Sequence, residues 1–89
     1  MELNVAASIR IMPTGVEINL EAIKKSVEKI VSKYGKVNSS EIKPIAFGLK
    51  SLEMMLLLND KTGGMDDIEA QIAKIDGVNG VEILEVTRL

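Results

Sequence analysis

Lys36-Val37-Asn38-Ser39-Ser40-Glu41-Ile42 is echoed 41 residues further along the chain by Gly77-Val78-Asn79-Gly80-Val81-Glu82-Ile83. The same offset lays Val27 on Ile68, Val31 on Ile72 and Tyr34 on Ile75. Those positions recur at the three-to-four-residue spacing of a buried helix face. A helix leading into a strand therefore occurs twice, and the fold divides into two similar halves.

Working outward from the echo, residues 3–12 alternate, with Leu3, Val5, Ala7, Ile9 and Ile11 on one face and Asn4, Ser8 and Arg10 on the other. A period of two marks a half-buried strand, and Pro13-Thr14-Gly15 ends it. Leu20, Ile23, Val27, Ile30, Val31 and Tyr34 predict a helix over 19–34, with Asn19 as N-cap and Gly35 as its stop. A second strand is expected over 41–49. It contains Pro44, which cannot donate to a ladder, so it belongs at a sheet edge. Gly48-Leu49-Lys50-Ser51 is expected to turn the chain into a third strand over 52–59, whose centre, 54–58, is apolar on both faces as a central strand should be. Met65, Ile68, Ile72 and Ile75 predict a second helix over 65–76, stopped near Gly77, and a last strand follows over 81–87. The order β-α-β-β-α-β predicts a ferredoxin-like α+β fold. Right-handed crossovers then give an antiparallel four-stranded sheet in the order 4-1-3-2, with both helices on one face and the other face open. One domain over 1–89 is expected.

Composition narrows the chemistry. The chain has 89 residues, 46% of them hydrophobic and 27% charged, which supports a core and argues against disorder. Its aromatics are Phe47 and Tyr34 alone. There is no Cys, so no disulfide frame or thiolate metal site. There is no His, which removes the usual general base and the commonest metal ligand. Ser-His and Cys-His catalysis and the ordinary zinc hydrolases are thereby excluded. Covalent chemistry would have to rest on carboxylates, lysines or a bound cofactor. The expectation is a chain with no catalytic set of its own and no cofactor that works by binding a partner protein.

Net charge is −2, with eight basic and five acidic residues in 1–50 against three and eight in 51–89. That is a poor footprint for nucleic acid, and the two central strands lack the aromatics on which this fold stacks RNA bases. The start lacks the basic flank and apolar run of a signal peptide, and the longest apolar run, 54–58, is far short of a membrane span. A cytoplasmic protein without membrane contact is expected, which leaves the sequon at Asn38 without meaning.

Neither G-x-x-x-x-G-K-[ST] nor G-x-G-x-x-G occurs. Asn59-Asp60-Lys61-Thr62-Gly63-Gly64 faintly resembles a calcium loop, but Lys61 stands where an oxygen ligand is required, and a plain loop is the simpler reading. Lys24, Lys25, Lys29, Lys33 and Lys36 read as a solvated helix face, and Met54 and Met55 as core filler. No carboxylate pair stands out by spacing. Phe47, beside the turn of an edge hairpin, suits a core or a contact equally. Arg88, the penultimate residue, leaves a cation at the mouth of the last strand, where a frayed end is the ordinary reading.

Ile42-Lys43-Pro44-Ile45-Ala46-Phe47-Gly48-Leu49-Lys50-Ser51-Leu52 resembles the signature hairpin of the elongation factor 1-beta exchange domain. The loop at Asn59–Gly64, the segment Ile68-Glu69-Ala70-Gln71-Ile72 and the ending beside a basic residue are similar too. The resemblance spans the chain and is to the short archaeal members, without the N-terminal regions of the eukaryotic ones. It implies a guanine nucleotide exchange factor whose partner is the GDP-bound GTPase elongation factor 1-alpha. It further implies that the end bearing the hairpin and the C-terminus docks on that GTPase, through Phe47 with Gly48, Lys50 and Leu89, while Arg88 enters its Mg²⁺ site. The eukaryotic pattern has Lys where this chain has Arg88, whose guanidinium is bulkier and planar. A monomer is expected. The rival is a small-molecule (amino-acid) binding regulatory module of the same topology, which the Gly77-Val78-Asn79-Gly80-Val81 turn would suit. Gel filtration and a thermal-shift screen with amino acids separate the two.

Overall fold

A computed structural model describes residues 3–59 and 64–89. The elements are β1 (Val5–Pro13), α1 (Leu20–Val31), β2 (Gly35–Pro44), β3 (Lys50–Leu58), α2 (Met65–Ala73) and β4 (Val78–Arg88). The sheet order is β2-β3-β1-β4 with every neighbouring pair antiparallel, which is the expected ferredoxin-like arrangement. Residues 60–63 of the calcium-like loop lie outside the described residues.

Alternation in the two central strands builds the core. Ala7, Ile9 and Ile11 of β1 and Leu52, Met54, Leu56 and Leu58 of β3 are buried. They pack against Ile23, Val27 and Val31 of α1 and Ile68 and Ile72 of α2, the residues that the helical spacing singled out. Asn19 caps α1 as expected, its Oδ1 accepting from the Glu21 and Ala22 amides at 3.0 and 3.3 Å. α2 also reaches the segment that follows α1 through polar atoms, Gln71 Nε2 donating to Tyr34 Oη at 3.2 Å.

Several boundaries differ from the expectation. α1 ends at Val31, not near 34, with Ser32 Oγ donating to the Lys29 carbonyl at 2.7 Å. α2 closes at Ala73. Gly35 is no helix stop but the first residue of β2, where a Cβ would lie 1.9 Å from the Leu57 carbonyl oxygen. Its role is close approach of two backbones. Both edge strands start earlier than expected, β2 at Gly35 and β4 at Val78. Each contains a bulge near its start. Val37 pairs with Leu56 and Ser39 with Met55, leaving Asn38 over; Val78 pairs with Pro13 and Gly80 with Met12, leaving Asn79 over. The sequence echo thus has a structural counterpart, an unpaired asparagine in each edge strand.

The open face is polar and laced by ion pairs. Arg10 of β1 reaches Glu53 of β3 at 3.5 Å and Glu82 of β4 at 3.4 Å. Lys43 of β2 reaches Glu53 at 3.3 Å and Glu41 at 3.8 Å. One charge network therefore crosses all four strands, in place of the stacking aromatics of a nucleic-acid platform.

Candidate functional site

The β2–β3 hairpin is closed by the pair Pro44–Lys50, after which the Ile45 amide donates to the Leu49 carbonyl at 2.8 Å and the Leu49 amide to the Ala46 carbonyl at 2.9 Å. The turn is therefore Ala46-Phe47-Gly48-Leu49, two residues earlier than the expected Gly48–Ser51 turn. Phe47 (φ 53) and Gly48 (φ 83) both lie at positive φ. That is the signature of a type I′ hairpin loop, a position that favours Asn-Gly or Asp-Gly. Glycine meets the second requirement freely. A bulky residue at the first is strained, because its Cβ crowds the backbone there. The strained residue buries nothing in return, since Phe47 is 97% exposed. The core alternative for Phe47 is thereby closed.

Phe47 heads a broader apolar surface. Val16 (64% exposed), Ile45 and Ile42 lie at the same end of the sheet. Val16 belongs to the β1–α1 loop, and its Cγ1 would lie 3.7 Å from a Cβ built on Gly48, so that loop and the hairpin tip are neighbours. Between them runs a groove of about 320 Å³ lined by Pro13, Val16, Leu20, Ile42, Gly48 and Lys50. Lys50 is exposed at its rim. The sequence offered one signal for Val16, an aliphatic residue between Gly15 and Glu17 in a loop.

Arg88 and Leu89 stand elsewhere. Arg88 pairs with Val5, and the Leu89 amide donates to the Asn4 carbonyl at 2.8 Å. The end of β4 is therefore held in the ladder rather than frayed, while both side chains are exposed. Val5 begins β1, whereas the hairpin tip lies beyond the end of β1, where Ile11 pairs with Leu52. The expectation that Phe47, Gly48 and Lys50 share one docking end with Arg88 and Leu89 is overturned. β1 and β4 run antiparallel, so the chain leaves the sheet at the end opposite the β2–β3 turn. The nine residues of β1 separate the two groups by roughly 25–30 Å at strand rise, in a molecule of 40 × 20 × 18 Å.

The remaining candidates fall into place around these ends. Lys25, Lys29, Lys33 and Lys36 are exposed along α1 and the start of β2, with Lys24 half-buried. The turn before β4 packs on the β1–α1 loop, the Thr14 amide donating to the Gly77 carbonyl at 2.9 Å. Among the described residues no group of three acidic, His or Cys side chains is placed to hold a metal ion, and no helix is long and apolar enough to cross a membrane.

Comparison with known proteins gives a consistent result. Residues 6–89 match the family model of the EF-1 guanine nucleotide exchange domain. The chain is 38% identical over 84 residues to elongation factor 1-beta of Methanococcoides burtonii, covering 94% of each. It is 34% identical over 86 residues to elongation factor 1-beta of Methanothermobacter thermautotrophicus, covering 97% of each. Among solved structures, the ACT domain from GTP pyrophosphokinase of Chlorobium tepidum is similar with a TM-score of 0.61 and 19% identity, over 91% of this chain and 99% of that one. The C-terminal domain of the MgtC protein from Mycobacterium tuberculosis gives the same TM-score at 14% identity, over 99% and 90%. At these identities the two structures share the fold alone.

Proposed function

The chain belongs to the family of EF-1 guanine nucleotide exchange domains, and on that premise we propose that it speeds GDP release from elongation factor 1-alpha by docking through Phe47 and disturbing the partner's Mg²⁺/phosphate site with Arg88. The observation that carries the docking role is the conformation of Phe47: a bulky apolar side chain held at φ 53 and almost wholly in solvent. Strain of this kind persists where function retains it. Gly48 permits the turn, Lys50 flanks it, and Val16 and Ile45 widen the apolar contact.

Arg88 acts by charge. A cation brought beside the β-phosphate of bound GDP repels Mg²⁺ and competes for its oxygen ligands, so the nucleotide loses its main electrostatic clamp. Such a mechanism asks for no acid, base or metal from the factor, in keeping with a chain that lacks His and Cys. Leu89, exposed beside Arg88, supplies apolar contact at that end. Because Phe47 and Arg88 lie at opposite ends of the sheet, the GTPase presents two surfaces roughly 25–30 Å apart, and the monomeric factor spans them. The setting is the cytoplasm and the substrate is the GDP-bound GTPase.

The test is release of labelled GDP from a cognate elongation factor 1-alpha with and without this protein. Release accelerated by catalytic amounts of the protein is expected. Unchanged release in the presence of a demonstrable complex would leave docking and remove exchange.

A further inference from the structure

β4 contains a second extra residue, and it lies four positions before Arg88. Glu82 pairs with Arg10 and Ile83 with Ile9, but the next pairs are Glu85–Ser8, Val86–Ala7, Thr87–Ala6 and Arg88–Val5. Leu84 has no partner in β1, which is a β-bulge. Directly opposed residues of an antiparallel pair share a face, and a one-residue change of register exchanges the two faces. Ala7, Ile9 and Ile11 are wholly buried beneath the helices and Val5 packs against the same core, so Arg88 stands on the helix-bearing side of the sheet. Paired without the bulge, the same sequence would set Thr87 opposite Val5 and turn Arg88 to the open side. The open side is where Glu41, Glu53 and Glu82 meet their ion-pair partners, and where Glu85 sits opposite Ser8.

We infer that Arg88 acts from the helix-bearing side of the sheet, and that the bulge at Leu84 is the positioning device that puts it there. The inference rests on the role proposed above for Arg88 and adds a direction to it. Glu85 and Arg88, three residues apart, face opposite sides of the strand in either register, and the bulge decides that Glu85 takes the open side and Arg88 the helix-bearing one. The bond from the Leu89 amide to the Asn4 carbonyl holds that register to the end of β4.

The test moves the cation without changing composition or charge. In the double variant Thr87→Arg/Arg88→Thr both positions are exposed, the bulge is intact and the arginine faces the open side. Its rate of GDP release at saturating factor is expected to fall on the order of tenfold or more, with affinity for the GTPase within about twofold of wild type, because docking through Phe47 is untouched. Two single-residue deletions sharpen the result. Removing Leu84 regularises β4 yet leaves Arg88 opposite Val5, so exchange is retained. Removing Thr87 carries Arg88 opposite Ala6, on the open side, so exchange is lost. Full exchange by the double variant overturns the inference, as does loss of exchange on removing Leu84 from a protein that melts like wild type. Arg88→Ala run alongside separates the levels. If it is slow while the double variant is fast, only the facing is wrong; if it exchanges at the wild-type rate, the role of the cation itself is wrong.

Discussion

Replacing Phe47 with asparagine should make the protein more stable and less able to bind. Phe47 occupies the first central position of the Ala46–Leu49 turn at φ 53. A left-handed conformation costs an ordinary side chain roughly 1–2 kcal/mol, and asparagine tolerates it better than any residue but glycine. With 97% of Phe47 exposed, the substitution forfeits almost no buried apolar surface. The net gain is then about 1 kcal/mol, which for a domain of this size raises Tm by roughly 4–8 °C. Affinity for the GTPase should move the other way, by about 1–3 kcal/mol if the ring fills a pocket on the partner. Thermal unfolding and titration of the GTPase, done on the same two proteins, measure both. A variant that melts below wild type would refute the reasoning, because it would mean that the ring packs on its own protein. A stabilised variant with undiminished affinity would refute the docking role alone.

Arg88→Ala should slow GDP release about tenfold or more, a barrier rise of ~1.4 kcal/mol or above, with Tm unchanged. Arg88→Lys should retain much of the rate, and excess Mg²⁺ should slow the wild-type factor; a stopped-flow Mg²⁺ series reads all three. Gly35→Ala should destabilise by ~3 kcal/mol in urea unfolding, since its Cβ would meet the Leu57 carbonyl oxygen at 1.9 Å and neither backbone can withdraw. Asn19→Ala should cost about 1 kcal/mol in the same assay through loss of the two cap hydrogen bonds to α1.

Where side chains alternate or recur against a core, the sequence was readable. Ile9 and Ile11 marked a central strand, Val27 and Val31 a helix face, and Pro44 an edge, and all stand as expected. The start of β2 was hidden because its alternation is brief: Gly35 and Val37 are half-buried between exposed Lys36 and Asn38, and the bulge at Asn38 then breaks the period of two. The turn was misplaced because phenylalanine is not a turn residue by composition. Only the pairing of Ile45 with Leu49 shows that Phe47 has no sheet face on which to lie. The charge network needed the register, since Arg10, Glu53 and Glu82 are remote in sequence and meet only across strands. The separation of Phe47 from Arg88 was different in kind. It follows from strand direction alone, because a last strand antiparallel to the first must end where the first begins.

The bulges also bear on solubility. β4 is an edge strand with Ile83, Leu84 and Val86 between 38% and 53% exposed, the profile of a template on which other chains could stack. Runs of six or seven regular, apolar, uncharged residues are what cross-β stacking requires. The extra residues Asn79 and Leu84 cut β4 into regular stretches 80–83 and 85–88, four residues each and each containing a glutamate. Neither stretch is long enough to seed a fibril, so the edge that carries Arg88 can remain uncovered at high protein concentration.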